Sequence, residues 1–302
     1  ANLLDQISRK YNFISKSIDN FVCFETDSKL KEYEFWNNYF KINFKIKDKL
    51  KTLKIQNIIP AAGEGSRHKH LGYNLPKPLI PVSNKTMFEQ SLSALPNPNR
   101  LLAIFRENTF KKYRLKKKLK FKKNKIFSLV KRKTRGMAIT VYKAKQLINL
   151  NNPVLISSCD IKCVIDYKKF YSLIKSENPD GIIFTWKNYP FASESPNSHA
   201  YILEKNNRVF KIQEKKPVSK NPDKDNAVTG VFYFKSGREL LNCIEFSIKN
   251  KITINGEYYI ATSMIKLIQE KKKVLNFNVN QFISWSLPEH LEDYNYWEKK
   301  FL

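Results

Sequence analysis

The stretch "AAGEGSRHKHLGYNLPKPL", residues 61–79, is the segment of the sequence that most strongly indicates the fold and the chemistry of the chain. It follows the apolar run "IQNIIPA", which predicts a buried strand, and precedes "TMFEQSLSAL", whose apolar spacing predicts a helix. The chain has only 8 glycines among its 302 residues. Two of them, Gly63 and Gly65, form a G-x-G pair, which indicates that the backbone of this loop needs glycine. Two interpretations of that pair stay open, a tight turn or a backbone that approaches a phosphate closely.

Two known phosphate-binding motifs do not fit this loop. A P-loop requires G-x-x-x-x-G-K-[ST], which is absent, and a dinucleotide fingerprint requires a third glycine where the chain has His68. The loop continues instead with Arg67 and then with Lys77 between Pro76 and Pro78. Because the two prolines stiffen the backbone on either side, the lysine ammonium is aimed. An arginine and an aimed lysine beside a glycine-rich turn predict a polyphosphate site.

Composition and patterning predict an α/β protein with a sizeable core. Hydrophobic residues make up 42% of the chain, and from about residue 56 strand-like runs alternate with helix-like segments. We therefore predict a Rossmann-like, three-layer α/β/α fold around a mixed, mostly parallel sheet, with antiparallel strands added late. Residues 1–54 contain no glycine or proline and are interpreted as a helical N-terminal extension of unknown role, followed by one domain over residues 55–302.

The same features disfavour several classes of protein. No apolar run reaches the roughly 20 residues that cross a bilayer and no secretory signal opens the sequence, so we expect a cytoplasmic protein without a membrane span. The net charge of +28 is densest over residues 111–125, "KKYRLKKKLKFKKNK", without a nucleic-acid-binding motif. A solvated basic face is favoured, and a nucleic-acid-binding module stays as an alternative. The cysteines lack a zinc-site pattern and are interpreted as ordinary thiols: Cys23, Cys159, Cys163 and Cys243.

The loop resembles the signature of the sugar-phosphate nucleotidyltransferases (NDP-sugar pyrophosphorylases): A-A-G-x-G-x-R, a variable gap, and P-K-P-L. The similarity extends over roughly residues 56–292. Six further segments follow the order of that family: "GMAITVYKAKQLI", "VLISSCD", "KIQEKKP", "AVTGVFYF", "NGEYYIATSMI" and "SWSLPEHLEDY". The resemblance implies a GT-A-like nucleotidyltransferase fold.

The resemblance also implies a reaction, in which a phosphate oxygen of an acceptor attacks the α-phosphorus of an NTP and pyrophosphate leaves. The implied catalytic residues are Arg67, Lys77 and Asp160, with Asp160 also binding Mg²⁺. The implied nucleotide-binding residues are Ala61, Ala62, Gly63, Gly65, Ser66 and Gly136. The implied acceptor-binding residues are Glu214, Lys215, Thr229, Gly230 and Glu257. The partners would be an NTP and a phosphorylated small molecule, for surface polysaccharide synthesis, and a homo-oligomer is left open.

Three of these assignments have competing interpretations. Asp160 could cap a helix, Lys216 could replace Lys215 as the phosphate contact, and Glu257 could favour a helix N-terminus. Trp285 is interpreted as core packing.

The chain departs from the family pattern in three places. Met137 stands where the family often has a base-reading glutamine or threonine, so the nucleobase is left open. "CDIK" lacks a second acidic residue, and "FISWSLPEHL" replaces the usual W-G-T-P region. Because Asp166 is interpreted as a helix cap, we expect a single protein-bound metal. The altered segment motivates one alternative, a weakly active or inactive regulatory protein with this fold. Because the same loop occurs in relatives that act on phosphocholine, a phosphocholine-type cytidylyltransferase is a second alternative.

Overall fold

A computed structural model of the chain describes Val22 and residues 25–41, 54–96, 100–119, 125–188 and 192–302. Cys23, most of the predicted N-terminal extension and residues 120–124 of the basic run lie outside these ranges. The strands are β1 (Gln56–Ala61), β2 (Pro81–Val82), β3 (Lys85–Thr86), β4 (Leu101–Arg106), β5 (Lys125–Val130), β6 (Val154–Ser157), β7 (Ile161–Val164), β8 (Gly181–Trp186), β9 (Ala200–Lys205), β10 (Arg208–Glu214), β11 (Asn226–Phe234), β12 (Val274–Asn278) and β13 (Gln281–Ser284). The α-helices are α1 (Asp27–Lys41), α2 (Met87–Ser93), α3 (Glu107–Lys112), α4 (Leu115–Lys118), α5 (Met137–Lys143), α6 (Tyr167–Glu177), α7 (Gly237–Lys249), α8 (Ile260–Ser263), α9 (Ile265–Gln269) and α10 (Pro288–Phe301).

Nine of these strands, counted over the described ranges, form one mixed sheet in the order β5-β4-β1-β6-β11-β8-β12-β10-β9. Parallel pairing joins β5 to β4, β4 to β1, β1 to β6, and β8 to β12. β11 runs antiparallel between β6 and β8, and β9 and β10 form an antiparallel hairpin whose turn residues, Asn206 and Asn207, have positive φ. The α/β class and the antiparallel strands late in the chain are confirmed. The predicted mostly parallel character is wrong, because β12 also pairs antiparallel with β10, so that four of the eight adjacent strand pairs in this sheet are antiparallel.

β1 shows how the sheet divides the core. Ile59 and Ala61 belong to one buried cluster, whereas Ile58 belongs to a second. Residues of α1, α2, α6 and α10 complete the first cluster, and residues of α5, α7, α8 and α9 complete the second. Because successive side chains of a strand point to opposite faces, the two clusters lie on opposite faces of the sheet. A strand buried on both faces reads as a continuous apolar run, which is why "IQNIIPA" predicts β1.

One predicted helix begins later than its apolar pattern indicates. The spacing in "GEYYIATSMIKLIQEK" predicts a single helix, but α8 begins only at Ile260. Gly256 has φ +75°, and the N–H of Tyr258 donates to the carbonyl of Arg135 at 2.9 Å. The N–H of Glu257 donates to the carbonyl of Ile254 at 3.0 Å. These turns and contacts hold the segment away from a helical path, so the prediction is wrong over its first residues.

Helix α1 lies in the predicted N-terminal extension, and it packs into the first of the two buried clusters. Phe35, Trp36 and Tyr39 are buried there. The rings of Trp36 and Tyr294, on α10, meet edge-on with centroids 5.7 Å apart. The division of the chain at residues 54 and 55 stays a prediction. In the described parts of the chain, no helix has the length and apolar character needed to cross a membrane.

Candidate functional site

A cavity of about 800 Å³ lies at the carboxyl ends of β1 and β6, where the loops that follow both strands form part of its wall. Ligands of α/β proteins bind at this end of parallel strands. Eleven of the fourteen predicted site residues line the cavity: Ala62, Gly63, Arg67, Lys77, Gly136, Asp160, Glu214, Lys215, Thr229, Gly230 and Glu257. The structure therefore brings together residues that lie far apart in the sequence.

Ala61, Gly65 and Ser66 are predicted site residues that do not line the cavity. Ala61 is 1% exposed and packs in the core. Gly65 precedes the 3₁₀ helix that begins at Ser66 and has φ +68°, and a Cβ there would lie 2.9 Å from the backbone nitrogen of Lys77. Glycine at position 65 therefore lets the loop contact the P-K-P segment, which carries Lys77 into the cavity wall.

Lys77 and Asp160 form an ion pair in the cavity wall, with side chains 19% and 6% exposed. One carboxylate oxygen accepts a hydrogen bond from the Ser158 hydroxyl, and the other accepts one from the Ser286 hydroxyl at 2.7 Å. Burial alone would raise the pKa of Asp160, but the Lys77 ammonium and the two hydroxyl donors hold that pKa well below its usual range. Asp160 is therefore a fixed negative charge at neutral pH.

Asp160 does not cap a helix, because β7 follows it directly. Asp166 caps α6, since its carboxylate accepts a hydrogen bond from the N–H of Lys169 at 3.1 Å at the start of that helix. Within the described ranges, no group of three His, Cys, Asp or Glu side chains is placed to hold a metal ion. Asp160 thus offers a single carboxylate, which suits Mg²⁺ because that ion is commonly bound by one or two carboxylates, with substrate phosphates and water completing its shell.

The segment after β13 supplies contacts that the sequence did not assign to the site. The N–H of Trp285 donates to the carbonyl of Asp160 at 2.8 Å. Its own carbonyl lies 3.0 Å from Nε2 of His68 in the signature loop, and Nζ of Lys77 donates to the carbonyl of Ser286 at 3.4 Å. The Trp285 side chain is fully buried, which confirms its interpretation as core packing. The unusual stretch "FISWSLPEHL" therefore joins Asp160 to the signature loop.

Lys215, Glu257 and Tyr259 form a second group in the cavity wall. Lys215 has φ +55°, and its Nζ lies 5.2 Å from the centroid of the Tyr259 ring. The Tyr259 hydroxyl donates to the Glu257 carboxylate at 2.8 Å. Because α8 begins only at Ile260, this carboxylate pairs with the tyrosine rather than with a helix end. Lys216 is exposed and does not line the cavity, which favours Lys215 as the lysine that faces a ligand.

Glu214 is a half-buried acid in the same cavity wall. Burial raises the pKa of Glu214 to about 7, although the charge of Lys215 lowers it. Its Oε2 atom has no hydrogen-bond partner among the described residues. A buried carboxyl oxygen without a partner is suited to accept a hydrogen bond from a ligand hydroxyl.

Replacing Glu214 with glutamine should stabilise the protein more at about pH 8 than at about pH 5. The reference pKa is 4.5, so between that value and about 7 the folded chain binds a proton that the unfolded chain has lost. Native stability is therefore lost as pH rises through this window, by on the order of 3 kcal/mol. Thermal melting of both proteins at the two pH values checks this. An equal difference in melting temperature at both would contradict the raised pKa of Glu214.

Thr229 and Gly230 lie where β11 loses its regular pairing with β8. The register between these strands shifts between Val228 and Phe232. The Thr229 hydroxyl donates to a main-chain carbonyl of β8 at 3.0 Å, so it is already engaged. Gly230 has φ +89°, and its carbonyl accepts from the N–H of Ser158 at 3.1 Å. This irregular stretch of β11 therefore supports the loop that contains Asp160.

Gly136 lies directly before α5 with φ +96°, and a Cβ there would lie 2.5 Å from the carbonyl oxygen of Tyr258. The N–H of Ala138 donates to the same carbonyl at 3.1 Å. Glycine is needed at this position because two segments of the cavity wall touch there. Its contact with a nucleobase stays a prediction. Lys133, which the sequence did not single out, adds a further cation to the cavity wall.

The chain is similar to known proteins in sequence and in fold. A family model described as nucleotidyl transferase matches residues 56–298. The bifunctional protein GlmU of Methanocaldococcus jannaschii is 25% identical over 223 residues, which are 71% of this chain and 47% of that protein. The chain thus spans about half the length of this curated relative.

Two solved structures share the fold. The nucleoside-diphosphate-sugar pyrophosphorylase from Vibrio cholerae RC9 superposes with a TM-score of 0.64 at 21% identity, covering 79% of this chain and 99% of that one. The inositol-1-phosphate CTP transferase from T. maritima superposes with a TM-score of 0.59 at 15% identity, covering 82% and 95%. Because the sequence identities are this low, the two superpositions show a shared fold and nothing more specific.

Proposed function

We propose a function for this chain on the premise that it belongs to the nucleotidyl transferase family, as the resemblance of its motifs implied. The chain transfers a nucleoside monophosphate from an NTP to a phosphorylated small molecule, with a sugar phosphate as the best-supported acceptor, and releases pyrophosphate. The observation that carries the proposal is a single cavity whose wall contains Arg67, Lys77 and Asp160 together with Lys215.

The glycine loop and its two cations would bind the triphosphate. In this proposal Arg67 neutralises charge on the departing pyrophosphate, and Lys77 contacts the α-phosphate. Transfers at phosphorus gain mainly from positioning and from neutralisation of charge, with little covalent work for the protein. The ion pair with Asp160 supports the role of Lys77, because it holds the ammonium in place before a substrate arrives.

Asp160 would hold Mg²⁺ together with the phosphates of the NTP. Bound there, the ion would supply positive charge beside the reacting phosphate. Ser158 and Ser286 orient the two carboxylate oxygens of Asp160 through their hydroxyl groups. Dependence on Mg²⁺ is part of this proposal.

Lys215 would bind the phosphate of the acceptor. The carboxyl groups of Glu214 and Glu257 would accept hydrogen bonds from the acceptor's hydroxyl groups. Thr229 and Gly230 would line the same pocket. The free Oε2 of Glu214 supports a hydroxylated acceptor. Lys215 already lies over the ring of Tyr259, which disfavours this ring as a site for a quaternary ammonium and hence disfavours phosphocholine.

Finer parts of the proposal concern architecture and biological setting. The core clusters on the two faces of the sheet support a three-layer, GT-A-like arrangement. A cytoplasmic location and a role in surface polysaccharide synthesis are part of this proposal. The nucleobase and the oligomeric state stay open.

Pyrophosphate release from a matrix of NTPs and phosphorylated acceptors tests the proposal. The protein is incubated with Mg²⁺, each NTP in turn, and a panel of sugar phosphates, inositol phosphate and phosphocholine. One combination is expected to release pyrophosphate well above the rate without acceptor. Release with phosphocholine alone would favour the cytidylyltransferase alternative. NTP binding without release in any combination would favour a regulatory protein.

Substitution of the two loop glycines by alanine should separate ligand binding from folding. At Gly63 a Cβ would meet nothing within 4 Å, so the variant should melt like the wild type while its KM for the NTP rises about tenfold. At Gly65, whose φ is positive, the Cβ would collide with the Lys77 backbone. The free energy of unfolding should therefore fall by about 2 kcal/mol, and the melting temperature should fall with it. Thermal melting and steady-state kinetics check both variants. An unchanged KM in the Gly63 variant would contradict a loop that contacts the triphosphate.

A further inference from the structure

The ribbon formed by β7 and β13 ends at the residues that orient Asp160. Ser284, the last residue of β13, pairs with Ile161, the first residue of β7. Asp160 therefore precedes one strand, and Trp285 and Ser286 follow the other. The N–H of Trp285 binds the carbonyl of Asp160, and the Ser286 hydroxyl binds its carboxylate. A displacement of this ribbon end would move the carboxylate.

Helix α1 packs against both strands of the ribbon. Nζ of Lys162, two residues after Asp160 on β7, donates to the Tyr39 hydroxyl at 3.3 Å. The side-chain amide of Gln281 on β13 donates to the carbonyl of Phe35 at 3.5 Å. The N-terminal helix thus contacts each strand that leads to the site.

The Tyr39 ring also reaches α10. It meets the Tyr294 ring edge-on, with centroids 6.0 Å apart, and the Tyr39 side chain is buried at 6% exposure. The Tyr294 ring meets the ring of Trp285 edge-on, with centroids 5.7 Å apart and an interplanar angle of 85°. Because protein interiors are close-packed, loss of the hydrogen bond between Lys162 and the Tyr39 hydroxyl is felt by the groups packed around it.

We propose that Tyr39 is a positioning residue for nucleotidyl transfer. Its hydroxyl accepts a hydrogen bond from Lys162 on β7 and its ring packs against Tyr294 on α10, and through these contacts it holds the ribbon end that orients Asp160. The kinetic part of this inference rests on the proposed function, whereas the coupling between Tyr39 and Trp285 does not. The predicted N-terminal extension then has a role, because its helix completes the support of the Asp160 carboxylate.

The test compares Tyr39→Phe with Tyr33→Phe in the full chain. Both changes remove one hydroxyl from α1 and keep the ring. The ring of Tyr33 packs against Trp297 and Phe301, 5.8 and 5.5 Å away between centroids. Hydrogen–deuterium exchange of the Trp285 amide is measured without ligand, and kcat and KM are measured with the NTP and acceptor that release pyrophosphate.

We expect Tyr39→Phe to speed exchange at Trp285 and to lower kcat, each on the order of tenfold, with KM for the NTP within about twofold. Tyr33→Phe should match the wild type in both measurements. Equal results for the two variants would overturn the inference, as would faster exchange spread over the whole chain, which indicates general destabilisation. If the wild type releases no pyrophosphate at all, the proposed function fails, while the exchange at Trp285 still decides whether Tyr39 holds the ribbon end.

Discussion

Replacement of Lys77 by alanine is expected to lower the rate of pyrophosphate release by about a thousandfold. The Lys77 ammonium is paired with Asp160 and held by the carbonyl of Ser286, so it is placed before substrate binds. A cation held in this way needs no reorganisation when charge develops on the phosphates. Steady-state pyrophosphate release, measured at saturating NTP and acceptor, checks the loss.

Two further variants separate this loss from an effect on folding. Alanine at position 77 leaves the buried charge of Asp160 without its partner, which costs about 3–5 kcal/mol of stability. Lys77→Arg keeps a cation and should melt close to the wild type, yet lose about a hundredfold in rate because the guanidinium has a different shape. Lys69→Ala, on an exposed lysine of the same loop that does not line the cavity, should leave the rate unchanged. A wild-type rate for Lys77→Arg would contradict the assigned position of the ammonium.

Replacement of Asp160 by asparagine is the second change for which a loss of about a thousandfold is expected. Asparagine has nearly the same shape and can still accept from the hydroxyl of Ser158 or Ser286, but it carries no charge for a metal ion or for Lys77. The loss should appear in kcat at every Mg²⁺ concentration. Turnover measured across a Mg²⁺ titration, with thermal melting of the same sample, checks this expectation.

Asp166→Asn is the matched control for the aspartate. Asp166 is six residues farther along the chain and caps α6 through the N–H of Lys169, and asparagine caps helices about as well. Its rate and melting temperature should equal those of the wild type. A similar loss of rate in both variants, or turnover above about a tenth of the wild type in Asp160→Asn, would contradict the role given to Asp160.

Much of the site could be predicted because its residues follow strands that are buried on both faces. β1 and β6 read as apolar runs, and both end at the edge of the sheet where the cavity opens. Gly63 and Lys77 follow the first strand, and Asp160 follows the second. Since parallel strands end on the same edge, a meeting of Lys77 and Asp160 follows from local patterns and chain order.

Contacts between distant segments have no such local signal. Ser286 binds Asp160 across 126 positions in the chain, and His68 meets the carbonyl of Trp285 across 217. A serine or histidine in a loop has no periodicity that marks its partner, so these contacts appear only when the strands are paired. The packing of α1 on α10 is hidden for the same reason, because aromatic residues at helical spacing do not identify the surface that they cover.

The late start of α8 illustrates a further limit of local patterns. Apolar spacing in "GEYYIATSMI" fits a helix, yet the N–H of Tyr258 is bound by the carbonyl of Arg135. A tertiary contact therefore overrides a local preference, as commonly happens when the preference is weak. The result places Glu257 and Tyr259 in an extended segment where both side chains reach the cavity.

The fate of a radiolabel in the NTP tests the central claim most directly. The chain is incubated with Mg²⁺, the active acceptor, and an NTP that carries the label at either the α- or the γ-phosphorus, and the products are separated. We expect the α-label in a nucleoside-diphosphate adduct of the acceptor and the γ-label in pyrophosphate. Transfer of the γ-label to the acceptor, or its release as inorganic phosphate, would contradict attack at the α-phosphorus and with it the proposed function.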